Sequence, residues 1–185
     1  MIINTMKRRI FIAILLPEKL RIKLAGFQEN LGQFNLRWIK PENLHFTLAF
    51  IGWTEEDKII TIKEILKNIA QKHPPFLLRL IKIILGPNEK YPRMLWAIGE
   101  KEEMLEKIWQ EIRKKLKESQ IFVDERHPLK VHLTLARARG RELFGKKIDQ
   151  QIDLNFLVKE IAIMESHLTP RGAEYQILER FLLKS

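Results

Sequence analysis

Apolar residues recur along this chain with two periods, and each switch between them marks an element boundary. Residues 8–16 (RRIFIAILL) are a short apolar, β-branched run, which predicts a buried strand. Pro17 then opens a helix to about Gly32, with Leu20, Leu24, Phe27 and Leu31 recurring on one face. A short strand over 36–39 and a turn over 41–43 lead into a strand over 44–53. Thr54 is expected to cap a helix reaching about Lys72. Glu55 and Glu56 lie in its first turn, and Ile59, Ile62, Ile65, Leu66 and Ile69 stand at helical spacing.

Pro74-Pro75 ends that helix. Strands follow over 76–85 and 94–98, joined by the turn-forming Gly86-Pro87-Asn88. A second long amphipathic helix is predicted over 102–119 and a strand over 131–136. A short helix or loop is expected over 140–147. Strands over 153–166 and 175–183 flank the turn Thr169-Pro170-Arg171-Gly172. The first half reads strand, helix, two strands, helix; the second reads two strands, a helix, a strand. Strands that follow strands argue for antiparallel sheets in an α+β fold built of two similar halves, rather than a doubly wound parallel sheet.

Composition narrows the chemistry. The 185 residues contain no cysteine, which excludes disulfides, thiolate metal sites and a cysteine nucleophile. The basic Lys7-Arg8-Arg9 precedes an apolar run that stops at Pro17, too short and without the small-residue cleavage site of a secretory signal. No stretch approaches the ~18 apolar residues of a membrane helix. A cytoplasmic protein with no membrane association is expected. The net charge of +10 admits two readings, a polyanionic partner such as nucleic acid or solvated basic helix faces such as Arg113-Lys114-Lys115.

The candidate chemistry lies in a repeat. His45-Phe46-Thr47-Leu48 returns, nearly unchanged, as His132-Leu133-Thr134-Leu135, 87 positions later. Chance placement of five histidines and six threonines in this length gives only about 0.16 His-x-Thr triplets. Strand alternation puts His45 and Thr47 on one face, with Leu44, Phe46 and Leu48 on the other. The same holds for His132 and Thr134 against Val131, Leu133 and Leu135. Each strand thus anchors itself by its apolar face and presents an imidazole and a hydroxyl opposite, which makes sense if the two strands face each other across a cleft.

Two such imidazoles suit in-line displacement at phosphorus. One can act as base on the attacking oxygen and one as acid on the leaving oxygen, while the hydroxyls donate to non-bridging oxygens. Zinc is the competing use of histidine, but each motif offers one imidazole with no HxH, HExxH or cysteine partner. No metal and no cofactor is expected. The other histidines read differently: His73 closes a helix, His127 precedes Pro128 in a charged loop, and His167 with Thr169 forms a third triplet that runs into a turn and reads as incidental.

The surrounding residues resemble a known family. Arg9-Ile10-Phe11-Ile12-Ala13, Arg37-Trp38-Ile39-Lys40-Pro41-Glu42-Asn43-Leu44 ahead of the first motif, Ala136-Arg137 after the second, and the segment Glu165-Ser166-His167-Leu168-Thr169-Pro170-Arg171-Gly172-Ala173-Glu174-Tyr175 all carry the likeness. The chain resembles the 2H phosphoesterase superfamily, and within it the RNA 2′,3′-cyclic phosphodiesterases, also called 2′-5′ RNA ligases. The resemblance implies one domain over 1–185, a bilobal fold with pseudo-twofold symmetry, antiparallel sheets, outer helices and a basic cleft between the lobes. It implies hydrolysis of a terminal ribose 2′,3′-cyclic phosphate on RNA to a 2′-phosphomonoester, without metal or ATP; a monomer is expected. His45 is then the proton donor to the leaving 3′-oxygen, His132 the proton acceptor from water, and Thr47 and Thr134 the phosphate-binding hydroxyls. Ligation to a 2′-5′ linkage is related chemistry, with a 5′-hydroxyl in place of water. Two positions depart from the family's habit: Val131 stands where proline is frequent, and His167 where arginine is.

Arg37, Trp38 and Arg137 are candidate substrate-binding residues, since an arginine suits phosphate and an aromatic suits a stacked base. A regular strand points Arg137 away from His132 and Thr134, whereas a bend after Leu135 or the reach of the long side chain brings it to the cleft. Two alternatives stand beside the leading one: a non-catalytic RNA-binding module on the same fold, and a sibling phosphodiesterase acting on 2′-5′ oligonucleotides or cyclic ADP-ribose phosphate.

Overall fold

The computed structural model describes residues 7–32, 34–124, 129–170 and 172–184. His127, Pro128 and Arg171 lie outside them. The described elements run β1 (Arg8–Leu15), α1 (Glu18–Leu31), β2 (Leu36–Trp38), β3 (His45–Thr54), α2 (Glu56–Ala70), β4 (Phe76–Gly86), β5 (Met94–Gly99), α3 (Glu103–Glu118), β6 (His132–Ala138), β7 (Asp149–Val158), β8 (Glu160–Thr169) and β9 (Gly172–Leu182). Two sheets form, in the orders β3-β1-β8-β9 and β2-β6-β5-β4-β7, and every pairing in both is antiparallel. The α+β expectation with two antiparallel lobes is met.

Local sequence explains most elements. In α3 the buried residues are Leu105, Ile108, Ile112 and Leu116, at spacings of three and four that keep them on one stripe. The Glu102 carboxylate accepts from Leu105 N at 2.6 Å, and acidic first-turn and basic last-turn residues complement the helix dipole. In α2, Ile59, Ile62, Ile65, Leu66 and Ile69 are buried as their spacing predicts. Thr54 does not cap this helix. It closes β3 and donates to Gly52 O at 2.9 Å, leaving Glu55 at the cap with no side-chain bond.

Two features escape the linear reading. Residues 153–166 do not form one strand: the chain breaks at Lys159, so that Phe156 and Val158 bury in the second sheet and residues 161–164 in the first. The sheets are also not contiguous halves of the sequence. β2 leaves the first half to pair with β6, and β8 and β9 return to the sheet of β1 and β3. A shared apolar core joins the sheets, and Phe46 of β3 stacks on Phe156 of β7 at 5.9 Å. That packing brings β3 and β6 into contact, although they belong to different sheets. No helix among the described residues is long and apolar enough to cross a membrane.

Candidate active site

β3 and β6 enter the site by the same local construction. His45 Nδ1 lies 2.7 Å from the carbonyl oxygen of Asn43, and His132 Nδ1 lies 3.0 Å from that of Lys130. A carbonyl can only accept, so Nδ1 carries the hydrogen in each ring and Nε2 is left for chemistry. Ahead of His45, Pro41–Asn43 form a 3-10 turn that aims the Asn43 carbonyl, and Asn43 Nδ2 donates to Ala173 O of β9 at 3.4 Å. The alternating faces hold as expected: Phe46, Leu48, Leu133 and Leu135 are buried, while the two His and two Thr face outward.

Both strands then bulge at the same place. Ala13 pairs with Thr47 but Ile12 pairs with Ala49, so Leu48 is the extra residue. Trp96 pairs with Thr134 but Leu95 pairs with Ala136, so Leu135 is the extra residue. A bulge breaks the alternation and re-aims every side chain after it. Leu135 and Ala136 are therefore both buried, and Arg137 turns to the face of Thr134. The Thr134 hydroxyl and the Arg137 guanidinium converge on Met94, 3.9 and 3.6 Å from its Sδ. The bend after Leu135 is real, and it brings Arg137 to the cleft. In β3 the position equivalent to Arg137 is Phe50, 39% exposed, with the Arg9 guanidinium 4.8 Å from its ring centre.

One cleft of about 560 Å³ gathers all seven candidate residues: His45, Thr47, His132, Thr134, Arg37, Trp38 and Arg137. Arg37 and Arg137 stand opposite each other on β2 and β6, and Trp38 both lines the cleft and packs on the core. Arg9, Arg37, Lys40 and Arg137 line it against a single acid, Glu174, among the described residues. The cleft is therefore built for an anion. Of the other described histidines, His73 and His167 do not line the cleft. His73 Nε2 is 2.7 Å from Glu111, and exposed His167 faces Glu165 at 3.5 Å, whereas Thr169 of the third triplet lines the cleft, its hydroxyl on Gly172 O at 2.8 Å. Among the described residues no group of three or more His, Cys, Asp or Glu gathers where it could hold a metal ion.

Comparison with known proteins places the chain in a family. A family model described as LigT like phosphoesterase matches residues 14–96. An RNA 2′,3′-cyclic phosphodiesterase of Methanocaldococcus jannaschii is 31% identical to this chain over 179 residues, covering 94% of it and 99% of the relative. The chain belongs to the LigT-like phosphoesterase family. Among solved structures, TT0787 of Thermus thermophilus superposes with a TM-score of 0.85 at 30% identity, over 95% of this chain and 97% of that one. The Escherichia coli LigT structure with 3′-AMP shares the fold, with a TM-score of 0.80 at 23% identity over 97% and 99% of the two chains.

Within this family fold the two imidazoles are walled differently. His45 sits among Phe11 and Tyr175, each about 5.0 Å away between ring centres. Among the described residues His132 has one ring neighbour, Trp96, at 4.3 Å. Trp96 lies flat on Gly86, where an added Cβ would meet the indole at 2.3 Å, so only glycine admits this seat. Burial lowers the pKa of both histidines below the ordinary value, the Nδ1 bond to a carbonyl opposes it, and a cation adds to the lowering: Arg137 at His45, Lys130 at His132.

Sequence reasoning missed Arg9, Phe11, Phe50, Trp96, Ser166 and Tyr175. Arg9 was findable, as a charge alternating with the apolar residues of a buried strand; its guanidinium donates to Ser166 Oγ at 3.3 Å. Trp96 and Tyr175 reach their histidines through sheet pairings that no local pattern encodes.

Proposed function

We propose that this phosphoesterase hydrolyses a terminal 2′,3′-cyclic phosphate on RNA to a 2′-phosphomonoester, with His45 as general acid and His132 as general base. The observation that carries the reading is the pair of Nε2-presenting imidazoles in one cationic cleft. The names of the full-length relatives point to the same reaction.

Burial favours neutral imidazole at both positions. An entering phosphate anion reverses that preference for a ring beside it, so binding itself loads the acid with its proton. His132 Nε2 takes a proton from water as the water oxygen bonds to phosphorus. The bond from phosphorus to the 3′-oxygen breaks, and His45 Nε2 returns a proton to that oxygen. Thr47, Thr134 and Arg137 meet the charge on the non-bridging oxygens. A 5′-hydroxyl in place of water gives a 2′-5′ linkage by the same steps. Both rings experience electrostatics of the same sign, so the order of acid and base rests on similarity to the family.

The test uses a nucleoside 2′,3′-cyclic phosphate in EDTA, followed by phosphorus NMR. A 2′-phosphomonoester is expected. Absence of turnover with or without chelator sinks the reading, and turnover lost only on chelation replaces it with metal chemistry. Replacing the leaving 3′-oxygen by sulfur, which departs without a proton, should restore turnover to His45→Ala and not to His132→Ala. The opposite rescue reverses the two roles.

A further inference from the structure

A second concavity, of about 510 Å³, opens on the lobe of β6. Its floor continues the catalytic face of the sheet. Trp96 and Ile98 of β5 stand opposite Thr134 and His132, and Ile84 of β4 stands opposite Trp96. Trp109 of α3 lines it as a second indole, with the Arg113 guanidinium 4.5 Å from its ring, and plays no part in the core cluster.

Two residues join this pocket to the cleft. Trp96 touches His132 and also lines the pocket, so the two spaces adjoin at this residue. Lys130 accepts the His132 Nδ1 hydrogen on its carbonyl, while its ammonium lies 6.0 Å from the Trp96 ring centre at the pocket. Lys101 and Lys130 supply positive charge there. Of the two carboxylates lining the pocket, Glu102 is committed to the start of α3, which leaves Glu106 against two lysines.

A cyclic phosphate terminates a strand, so the rest of that strand must leave the cleft along some surface. The geometry points to this pocket as the seat of the nucleotide preceding the cyclic end. Its base lies against the Trp109 indole, and the intervening phosphodiester passes Lys130. The inference rests on the cyclic phosphodiesterase reading above.

The experiment compares kcat/KM for a cyclic-ended trinucleotide with that for the nucleoside 2′,3′-cyclic phosphate. The native protein should favour the trinucleotide at least about fivefold, the size of one base–aromatic stack. Trp109→Ala and the exposed Lys101→Glu should each move that ratio toward one; the second tests the pocket even if loss of the indole unsettles α3. A native ratio near one, or a ratio unchanged in either folded variant, overturns the pocket proposal alone. Failure to turn over the nucleoside cyclic phosphate overturns the functional reading beneath it.

Discussion

The two motif strands share a backbone but not a setting. In both, the imidazole is tied by Nδ1 to the carbonyl two residues earlier, and a leucine bulges one residue after the threonine. Across the sheet, however, Thr47 faces Ala13 where Thr134 faces Trp96. The first lobe compensates for the small alanine with Phe11 and Tyr175; the second fills the equivalent space from its own β5. What the site requires is the orientation of the imidazole, which the backbone supplies twice. The aromatic wall that desolvates it can come from different strands.

The largest effect should fall equally on both lobes. His45→Ala and His132→Ala should each lower kcat at least about 10²-fold, as for other general acid–base groups, with circular dichroism unchanged. A folded variant of either kind with native kcat breaks the equivalence.

A smaller effect should fall on one lobe only. Gly86→Ala forces a Cβ into the Trp96 ring and disturbs the wall of His132, leaving Phe11 and Tyr175 around His45 untouched. Overpacking of this kind costs about 1–3 kcal/mol, and kcat should fall about tenfold while the His45 limb of the pH profile stays in place. Movement of both limbs contradicts separate seating.

The pH profile sharpens the comparison further. One neutral and one protonated histidine predict a bell-shaped kcat/KM. Arg137→Gln removes the cation that depresses His45, and Lys130→Gln removes the one that depresses His132, so each variant should shift one limb toward higher pH. Both variants moving the same limb would assign the two cations to one ring.

The smallest effect concerns stability between the two central strands of the first sheet. Arg8 donates to Glu165 at 2.6 and 3.0 Å, which holds that carboxyl below its usual range. Its folded pKa is depressed, so the stabilisation is present above the unfolded carboxylate pKa and is lost as pH falls through the folded one. Denaturant midpoints should separate the native protein from Glu165→Gln above about pH 4.3 and converge in stronger acid. A gap that persists at low pH removes the ion pair as its source.

Much of this site was legible in the chain because it is local. A strand, a period of two and a repeated tetrapeptide bring His45, Thr47, His132 and Thr134 to outward faces. Arg137 stayed open because a bulge is a property of pairing: Leu135 reads as any strand leucine until Trp96 and Leu95 are set opposite it. Thr54 has the residue type of a helix cap, but its hydroxyl is taken by Gly52, an outcome decided by how β3 ends. The break at Lys159 was hidden because both sides of it are strand and only the destination sheet changes.

That change of sheet sets an order on synthesis. β1 is a central strand whose second neighbour, β8, begins only at Glu160, and Tyr175 arrives later still. While the ribosome is making the middle of the chain, the other sheet can gather its strands, but β1 waits with an open edge. The histidine made first is therefore the one whose surroundings are finished last. A chain that stops before Glu160 would present an unpaired apolar strand to its neighbours, the kind of edge that recruits other chains.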